Sequence, residues 1–124
     1  MIRQAGMDDK RAAAKLAMLL WPDNEIDDLK REMLDYIVSD SGAVFICFDE
    51  DTPIGFAQCS LRRDYVEGTD SSPVGYLEGV FVKENYRKRG IGGRLVAQCE
   101  EWAKRQGCTE FASDCELNNS RSLE

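Results

Sequence analysis

Positive charge and glycine are concentrated in one short segment, ENYRKRGIGGRL, at residues 84–95. The segment follows a β-type run at 74–83 and precedes an amphipathic helical pattern at 91–106. A helix N-terminus presents backbone N–H groups without intrahelical partners, and glycines let an anion approach them closely. Arginine adds charge-assisted hydrogen bonds to the same anion. The segment therefore predicts a binding site for phosphate-like oxygens.

Three phosphate-loop patterns can be compared with this segment. The Walker A pattern G-x-x-x-x-G-K-[ST] is absent. The dinucleotide pattern G-x-G-x-x-G fails at its last glycine, where the chain has Leu95, and the first βαβ unit is not in its usual place. The pattern R-x-x-G-x-G is met by Arg87, Gly90 and Gly92. A solvated basic turn with a glycine cap remains the structural alternative.

The composition limits the function classes open to this chain of 124 residues. A formal net charge of −7 argues against nucleic acid and favours cationic or small neutral partners. No apolar run approaches the ~20 residues that span a bilayer, and the N-terminus lacks a signal-peptide pattern. The five scattered cysteines indicate reduced thiols in the cytoplasm.

The sequence contains no histidine, which removes Ser-His-Asp and Cys-His catalysis and argues against a metal site. Any general base must be a carboxylate, a tyrosine, a lysine, a cysteine or a bound water. Glu78 is a candidate because it interrupts an apolar strand, where a carboxylate is costly unless it faces a cleft. Asp114 follows a predicted strand and is a second candidate, although it could equally cap a helix.

Further acidic residues lie beside Trp21, in the segment PDNEIDD at 22–28. They could attract a cationic ligand, and they could equally be the solvated start of a helix, where acids favour the helix dipole. The sequence likewise leaves open whether the side chains of Trp21 and Tyr65 pack against the protein or contact a ligand.

Hydrophobic periodicity predicts an α+β chain with the element order β-α-α-β-β-β-α-β. The predicted strands lie at 2–5, 43–48, 54–62, 74–83 and 109–113. The first helix follows Asp8 as N-cap, the second follows Asp23 or Asn24, and the third lies at 91–106. Gly79, inside a strand, predicts a β-bulge.

The R-x-x-G-x-G pattern, preceded by YLEGVFV and followed by an amphipathic helix, resembles the acyl-CoA-binding motif of the GNAT superfamily of N-acetyltransferases. The resemblance implies the GNAT acyl-CoA N-acyltransferase fold, a mixed and mostly antiparallel sheet flanked by helices, as a single domain over 1–124. It also implies acetyl-CoA as co-substrate and no metal. The implied coenzyme-binding residues are Phe81, Val82, Arg87, Lys88, Arg89, Gly90, Ile91, Gly92, Gly93 and Asn119.

The same resemblance implies backbone roles. The amides of residues 88–93 would hold the coenzyme pyrophosphate. The bulged strand would splay from its neighbour, so that the pantetheine arm pairs with the free edge. Backbone N–H groups near Phe81 and Val82 would then point at the thioester, and the Val82 N–H would hold the oxyanion.

The stretches LLWPDNE, RRDYVEGTDSSPVGYLEGVFV and EWAKRQGCTEFASD make nearly the whole chain similar to aminoglycoside 6′-N-acetyltransferases. This implies acetyl transfer to an aminoglycoside amine, hence antibiotic resistance, with Trp21, Tyr65, Glu78 and Asp114 lining the acceptor pocket. The acidic charge suits a polycationic acceptor. Two alternatives stay open: another polyamine or protein amine as acceptor, and a catalytically silent CoA-binding domain.

This sequence departs from the family pattern in its C-terminal segment. The family continues with a helix and two strands, whereas this sequence ends where that helix would begin, within a polar segment at 114–124. Asn119 matches a family asparagine near the coenzyme, but the tyrosine that follows it is missing. We therefore expect an incomplete domain, impaired as a catalyst and prone to associate through an exposed sheet edge. A homodimer is implied by the family alone.

Overall fold

The computed structural model describes residues 1–64, 66, 69–113 and 120–122. Within that part of the chain, six strands form one sheet and three α-helices pack on it. The strands are β1 (Ile2–Gln4), β2 (Gly42–Asp49), β3 (Thr52–Arg62), β4 (Val74–Val82), β5 (Glu110–Ser113) and β6 (Ser120–Ser122). The helices are α1 (Lys10–Leu20), α2 (Ile26–Val38) and α3 (Ile91–Arg105). The predicted element order is confirmed, and β6 is additional.

The strands lie in the order β1-β2-β3-β4-β5-β6. β4 and β5 run parallel, because α3 crosses over the sheet between them, and the other described pairs are antiparallel. The predicted mixed, mostly antiparallel sheet is therefore confirmed.

Different helices cover the two faces of the sheet. On one face, Val44 and Ile46 of β2 are buried beneath α1 and α2. On the other face, the intervening Phe45 and Cys47 belong to a core that contains the buried stripe of α3. Because helices cover both faces, β2 has the continuous apolar sequence of a central strand instead of alternation.

The helix caps predicted from the sequence are wrong. A short 3-10 turn, Met7–Asp9, precedes α1, and Asp9 rather than Asp8 has its carboxylate bonded, to the Gly6 N–H at 2.8 Å and to Arg3. At α2 the N-cap position is Glu25, without a side-chain cap hydrogen bond. Neither Asp23 nor Asn24 caps α2, because Glu25 has an extended backbone and the helix begins only after it, at Ile26.

By sequence alone the polar final segment could start a helix, but residues 120–122 do not. These residues form β6, which pairs antiparallel with β5 between Glu110↔Ser122 and Ala112↔Ser120. An unpaired strand edge carries free N–H and C=O groups, and β6 satisfies those of β5 over this short stretch. Residues 114–119 and 123–124 lie outside the described part of the chain.

The bulge predicted at Gly79 is confirmed. Gln58 pairs with Gly79 while the next residue, Cys59, pairs with Leu77, so Glu78 is the extra residue of β4. The extra residue shifts the alternation of side chains, since Leu77 and Val80 both pack on the α3 side although they are an odd number apart. Glu78 and Gly79 consequently both face the side of α1 and α2.

Candidate active site

One edge of β4 is open along its second half. β4 pairs with β5 only from Gly75↔Phe111 to Leu77↔Ser113 within the described residues, yet β4 continues to Val82. The Lys83 N–H donates to the Ile54 carbonyl at 2.9 Å, which makes Gly55↔Val82 a non-hydrogen-bonded pair. By antiparallel alternation, the backbone groups of Val80 and Val82 point away from β3 and towards the open edge, whereas those of Phe81 point to β3.

The glycine turn, defined here as residues 87–93, follows this edge and starts α3. Lys88 has φ 65° and Gly90, the N-cap of α3, has φ 78°, so the backbone passes twice through the left-handed region. The N–H groups of Ile91, Gly92 and Gly93 then open the helix without intrahelical acceptors. A Cβ at Gly90 or Gly93 would meet no atom within 4 Å, which leaves free space over these donors.

A cavity of about 280 Å³ joins the turn to the end of β4. Its lining residues are Val80, Phe81, Val82, Tyr86, Arg87, Lys88, Gly90, Ile91 and Gly92. The structure thus brings most of the sequence-predicted coenzyme residues around one concavity. Unpaired helix-start amides, open space over glycines and cationic side chains are chemically suited to a pyrophosphate group.

Side chains of the turn are held by local contacts. The Arg87 Nε donates to the Val82 carbonyl at 2.8 Å, and its guanidinium lies 5.4 Å from the centre of the Phe81 ring. The Tyr86 hydroxyl donates to Asp49 at 2.6 Å. That hydrogen bond, more than desolvation, raises the pKa of Tyr86. The hydrogen bond to the Val82 carbonyl thus holds the Arg87 side chain against β4, although the residue is exposed to solvent.

A second cavity, here called the Glu78 cavity, opens on the α1/α2 side of the sheet with a volume of about 270 Å³. Its lining residues are Trp21, Asn24, Leu29, Glu32, Tyr36, Gln58 and Glu78. Trp21 lies directly on Gly79, since a Cβ there would come within 2.7 Å of two Trp21 ring atoms. The bulge glycine thus lets an indole reach the strand and form one wall.

Glu78 is partly buried and held by two neighbours on β3. Its Oε2 accepts a hydrogen bond from the Ser60 hydroxyl at 2.6 Å, and Arg62 donates to both carboxylate oxygens at 3.0 Å. The Arg62 guanidinium lies 3.8 Å from the centre of the Tyr76 ring. Burial acts to lower the pKa of Arg62, but the hydrogen bond and charge of Glu78 outweigh it and raise that pKa.

Sequence reasoning missed Gln58 and Tyr36, which line the Glu78 cavity, and Arg62, which pairs with Glu78. Gln58 interrupts the apolar run IGFAQCS just as Glu78 interrupts YLEGVFV, so the same signal could have found it. Tyr36 lies on α2 and gives no such signal. Burial, followed by the charges of Glu78 and Glu32, raises the pKa of Tyr36.

The remaining predicted site residues fall into two groups. Tyr65, Asp114 and Asn119 lie outside the described residues. Among the acids beside Trp21, Asp27 pairs with Lys30 at 3.0 Å and Asp28 pairs with Arg31, each within α2. These two acids therefore behave as a solvated helix start.

Among the described residues, no group of three or more histidine, cysteine, aspartate and glutamate side chains could hold a metal ion. No helix in this part of the chain is long and apolar enough to cross a membrane.

Known proteins resemble the chain over most of its length. A profile of the Acetyltransferase (GNAT) family matches residues 11–124. The aminoglycoside N(6′)-acetyltransferase type 1 of Stenotrophomonas maltophilia is 42% identical over 95% of this chain and 76% of its own length. The protein of the same name from Serratia marcescens is 41% identical over 90% of this chain and 77% of its own length.

Solved structures resemble it equally well. An aminoglycoside N-acetyltransferase in complex with CoA superposes with a TM-score of 0.90 at 38% identity, over 94% of this chain and 77% of that one. A structure with a bisubstrate analogue, CoA-S-monomethyl-acetylneamine, superposes with a TM-score of 0.86 at 38% identity, over 94% of this chain and 80% of that one. With its bulged β4 and its glycine turn, the chain belongs to the GNAT family of acetyltransferases.

Proposed function

We propose that this protein transfers the acetyl group of acetyl-CoA to an amine of an aminoglycoside, an activity that confers antibiotic resistance. One observation carries the proposal: the glycine turn and the Glu78 cavity meet along β4, with Val80 to Val82 lining one cavity and Glu78 the other. A donor and an acceptor bound on the two sides would therefore meet at the open edge of one strand. The aminoglycoside acetyltransferases named above support the choice of acceptor.

The coenzyme would be held mainly by hydrogen bonds to backbone groups of the protein. We assign its pyrophosphate to the free amides of the glycine turn, with Arg87 and Lys88 supplying positive charge. An extended ligand arm could then pair with the backbone groups of Val80 and Val82, which face the open edge.

The chemistry is an exchange at the thioester carbonyl. The amine nitrogen attacks the carbonyl carbon, the C–N bond forms, and the C–S bond breaks with its electron pair left on sulfur as a thiolate. The nitrogen loses a proton and the thiolate gains one. We assign the Val82 N–H to the oxyanion, because it points to the open edge beside the glycine turn.

The proton acceptor for the amine is assigned to a carboxylate or to water. Glu78 and Asp114 are the proposed carboxylates. Ser60 and Arg62 already donate to both Glu78 oxygens, which disfavours proton acceptance by Glu78 and leaves it the role of a negative charge beside the acceptor. In that case Asp114 or a bound water accepts the proton.

The test is a calorimetric titration with acetyl-CoA, followed by kanamycin and, in parallel, by spermidine. Release of free thiol from acetyl-CoA reports turnover with each acceptor. We expect coenzyme binding, then kanamycin binding and kanamycin-dependent thiol release. Failure to bind acetyl-CoA would overturn the proposal, and coenzyme binding without kanamycin binding would overturn the choice of acceptor.

We also propose a cytoplasmic location and a homodimer. Four cysteines, Cys47, Cys59, Cys99 and Cys108, are free and buried, which suits a reducing compartment. The homodimer is implied by the family, and sedimentation velocity over a range of protein concentrations tests it.

A further inference from the structure

Gln58 is a buried polar side chain with an unmatched hydrogen-bonding group. The residue is 2% exposed, and its Oε1 has no hydrogen-bond partner among the described residues. Buried polar groups in folded proteins are nearly always paired, because an unpaired one loses its bonds to water without replacement. Such an exception in a cavity wall points to a partner that binds there.

The location of Gln58 is the Glu78 cavity. Gln58 pairs with Gly79 across the bulge, so its side chain lies next to that of Glu78 on the α1/α2 side of the sheet. Gly79 has no side chain, and Trp21 closes that side. Gln58 and Glu78 therefore lie side by side in the cavity wall, next to Trp21.

The two ends of the Gln58 amide have different surroundings. The amide interacts with the Tyr36 hydroxyl and acts to lower its pKa, against burial, which is the largest influence and raises it. Gln58 Oε1 itself has no hydrogen-bond partner among the described residues. On Glu78, by contrast, Ser60 and Arg62 already donate to both oxygens. The Gln58 oxygen is thus an available acceptor between these groups.

We propose that Gln58 Oε1 accepts a hydrogen bond from an ammonium or hydroxyl group of the amine-bearing acceptor, and so determines which acceptors bind. This inference rests on the proposed function, since it assumes that the acceptor occupies the Glu78 cavity. A cavity that hydrogen-bonds a donor on its ligand discriminates against analogues without that donor, because the buried oxygen is then left unpaired.

The experiment compares the wild-type protein with Gln58→Met, which keeps the side-chain length and removes both polar ends. In calorimetry with CoA already bound in place of acetyl-CoA, so that no acetyl group can be transferred, we expect Gln58→Met to weaken kanamycin binding by about tenfold. Acetyl-CoA affinity is expected to stay unchanged. The Tm of the free protein is expected to change little, because removal of an unpaired buried oxygen offsets the lost interaction with Tyr36.

A matched control and a restoring variant accompany this comparison. Gln98→Met makes the same change on the exposed side of α3 and is expected to leave all affinities unchanged. Gln58→Glu keeps an acceptor oxygen in the same place and is expected to bind kanamycin at least as tightly as the wild type.

The outcomes separate this inference from the function on which it rests. If the wild type binds acetyl-CoA but not kanamycin, the choice of acceptor fails, and the role of Gln58 fails with it. If the wild type and Gln58→Met bind kanamycin equally, Gln58 does not contact the acceptor and only this inference is overturned, whatever the Tm of the variant. A folded Gln58→Glu protein that binds as weakly as Gln58→Met also overturns it.

Discussion

The glycine turn and the Glu78 cavity lie along the same strand but are built in opposite ways. The turn is one continuous segment, and its binding groups are backbone amides at a helix start. The cavity is assembled from side chains of α2, β3 and β4 and from the α1–α2 connection, residues far apart in sequence. Backbone N–H groups are present whatever side chains the turn carries, whereas the shape and polarity of the cavity change with each side chain that lines it. Substitutions should therefore separate the two ligands.

The largest effect is expected from Gly90→Val. Gly90 has φ 78°, which a β-branched residue rarely adopts, and the new side chain would fill the open space over the turn amides. Loss of two or more charge-assisted hydrogen bonds should weaken acetyl-CoA binding by more than about a hundredfold in calorimetry.

Gly107→Val is the matched control. Gly107 has φ 93° with open space around it, but it lies at the other end of α3. It should impose similar backbone strain and leave coenzyme affinity intact. If both variants lost the coenzyme equally, strain rather than the turn would be the cause.

Glu78→Gln should act on the other ligand. The substitution removes the negative charge that balances Arg62 and leaves an uncompensated cation beside the cavity. We expect kanamycin affinity to fall by about 10- to 100-fold, with acetyl-CoA affinity unchanged, as measured by sequential calorimetry. Glu101→Gln, which breaks an exposed pair with Lys104 on α3, should change neither affinity. Equal kanamycin binding by wild type and Glu78→Gln would remove Glu78 from the site.

Gly79→Ala tests the bulge that links the two regions. The new methyl group would come within 2.7 Å of the Trp21 ring, so the indole must move. We expect a loss of about 1–3 kcal/mol of unfolding free energy, a change in tryptophan fluorescence and weaker kanamycin binding. Gly6→Ala, where the nearest atom is 3.9 Å away, should be close to neutral. An unaltered Tm and fluorescence in Gly79→Ala would contradict the packing described here.

The smallest effect is expected from Tyr86→Phe, which removes the hydrogen bond to Asp49 beside the turn. Acetyl-CoA affinity should fall by less than about threefold, since the bond is exposed. The bond favours the protonated phenol and raises its pKa, so its contribution to stability is present below the unfolded pKa of about 10 and is lost as pH rises through the folded pKa. The Tm difference between wild type and variant should vanish there. If the Tm difference between wild type and Tyr86→Phe instead grew with pH, the assignment of the Tyr86 hydroxyl as a donor to Asp49 would be wrong.

The sequence predicted the glycine turn better than the Glu78 cavity. The R-x-x-G-x-G spacing, the helix that follows and the bulge at Gly79 all depend on residues within a few positions of each other. The caps at Asp8 and at Asp23 or Asn24 were wrong because several adjacent acids could serve, and local geometry decides among them. By sequence the final segment could have started a helix, whereas Ser120–Ser122 form a strand, because the edge of β5 offers pairing that local propensity does not reveal.

Local pattern determined that this chain has a glycine-rich helix start, a bulged strand and no histidine-based chemistry. Tertiary structure decided what surrounds the bulge. Only the packing of α1 and α2 on the sheet brings Trp21 onto Gly79 and Tyr36 beside Gln58, and only strand register sets Ser60 and Arg62 against Glu78. Backbone donors are specified by neighbours in sequence, whereas a side-chain cavity depends on contacts between residues that sequence spacing does not relate.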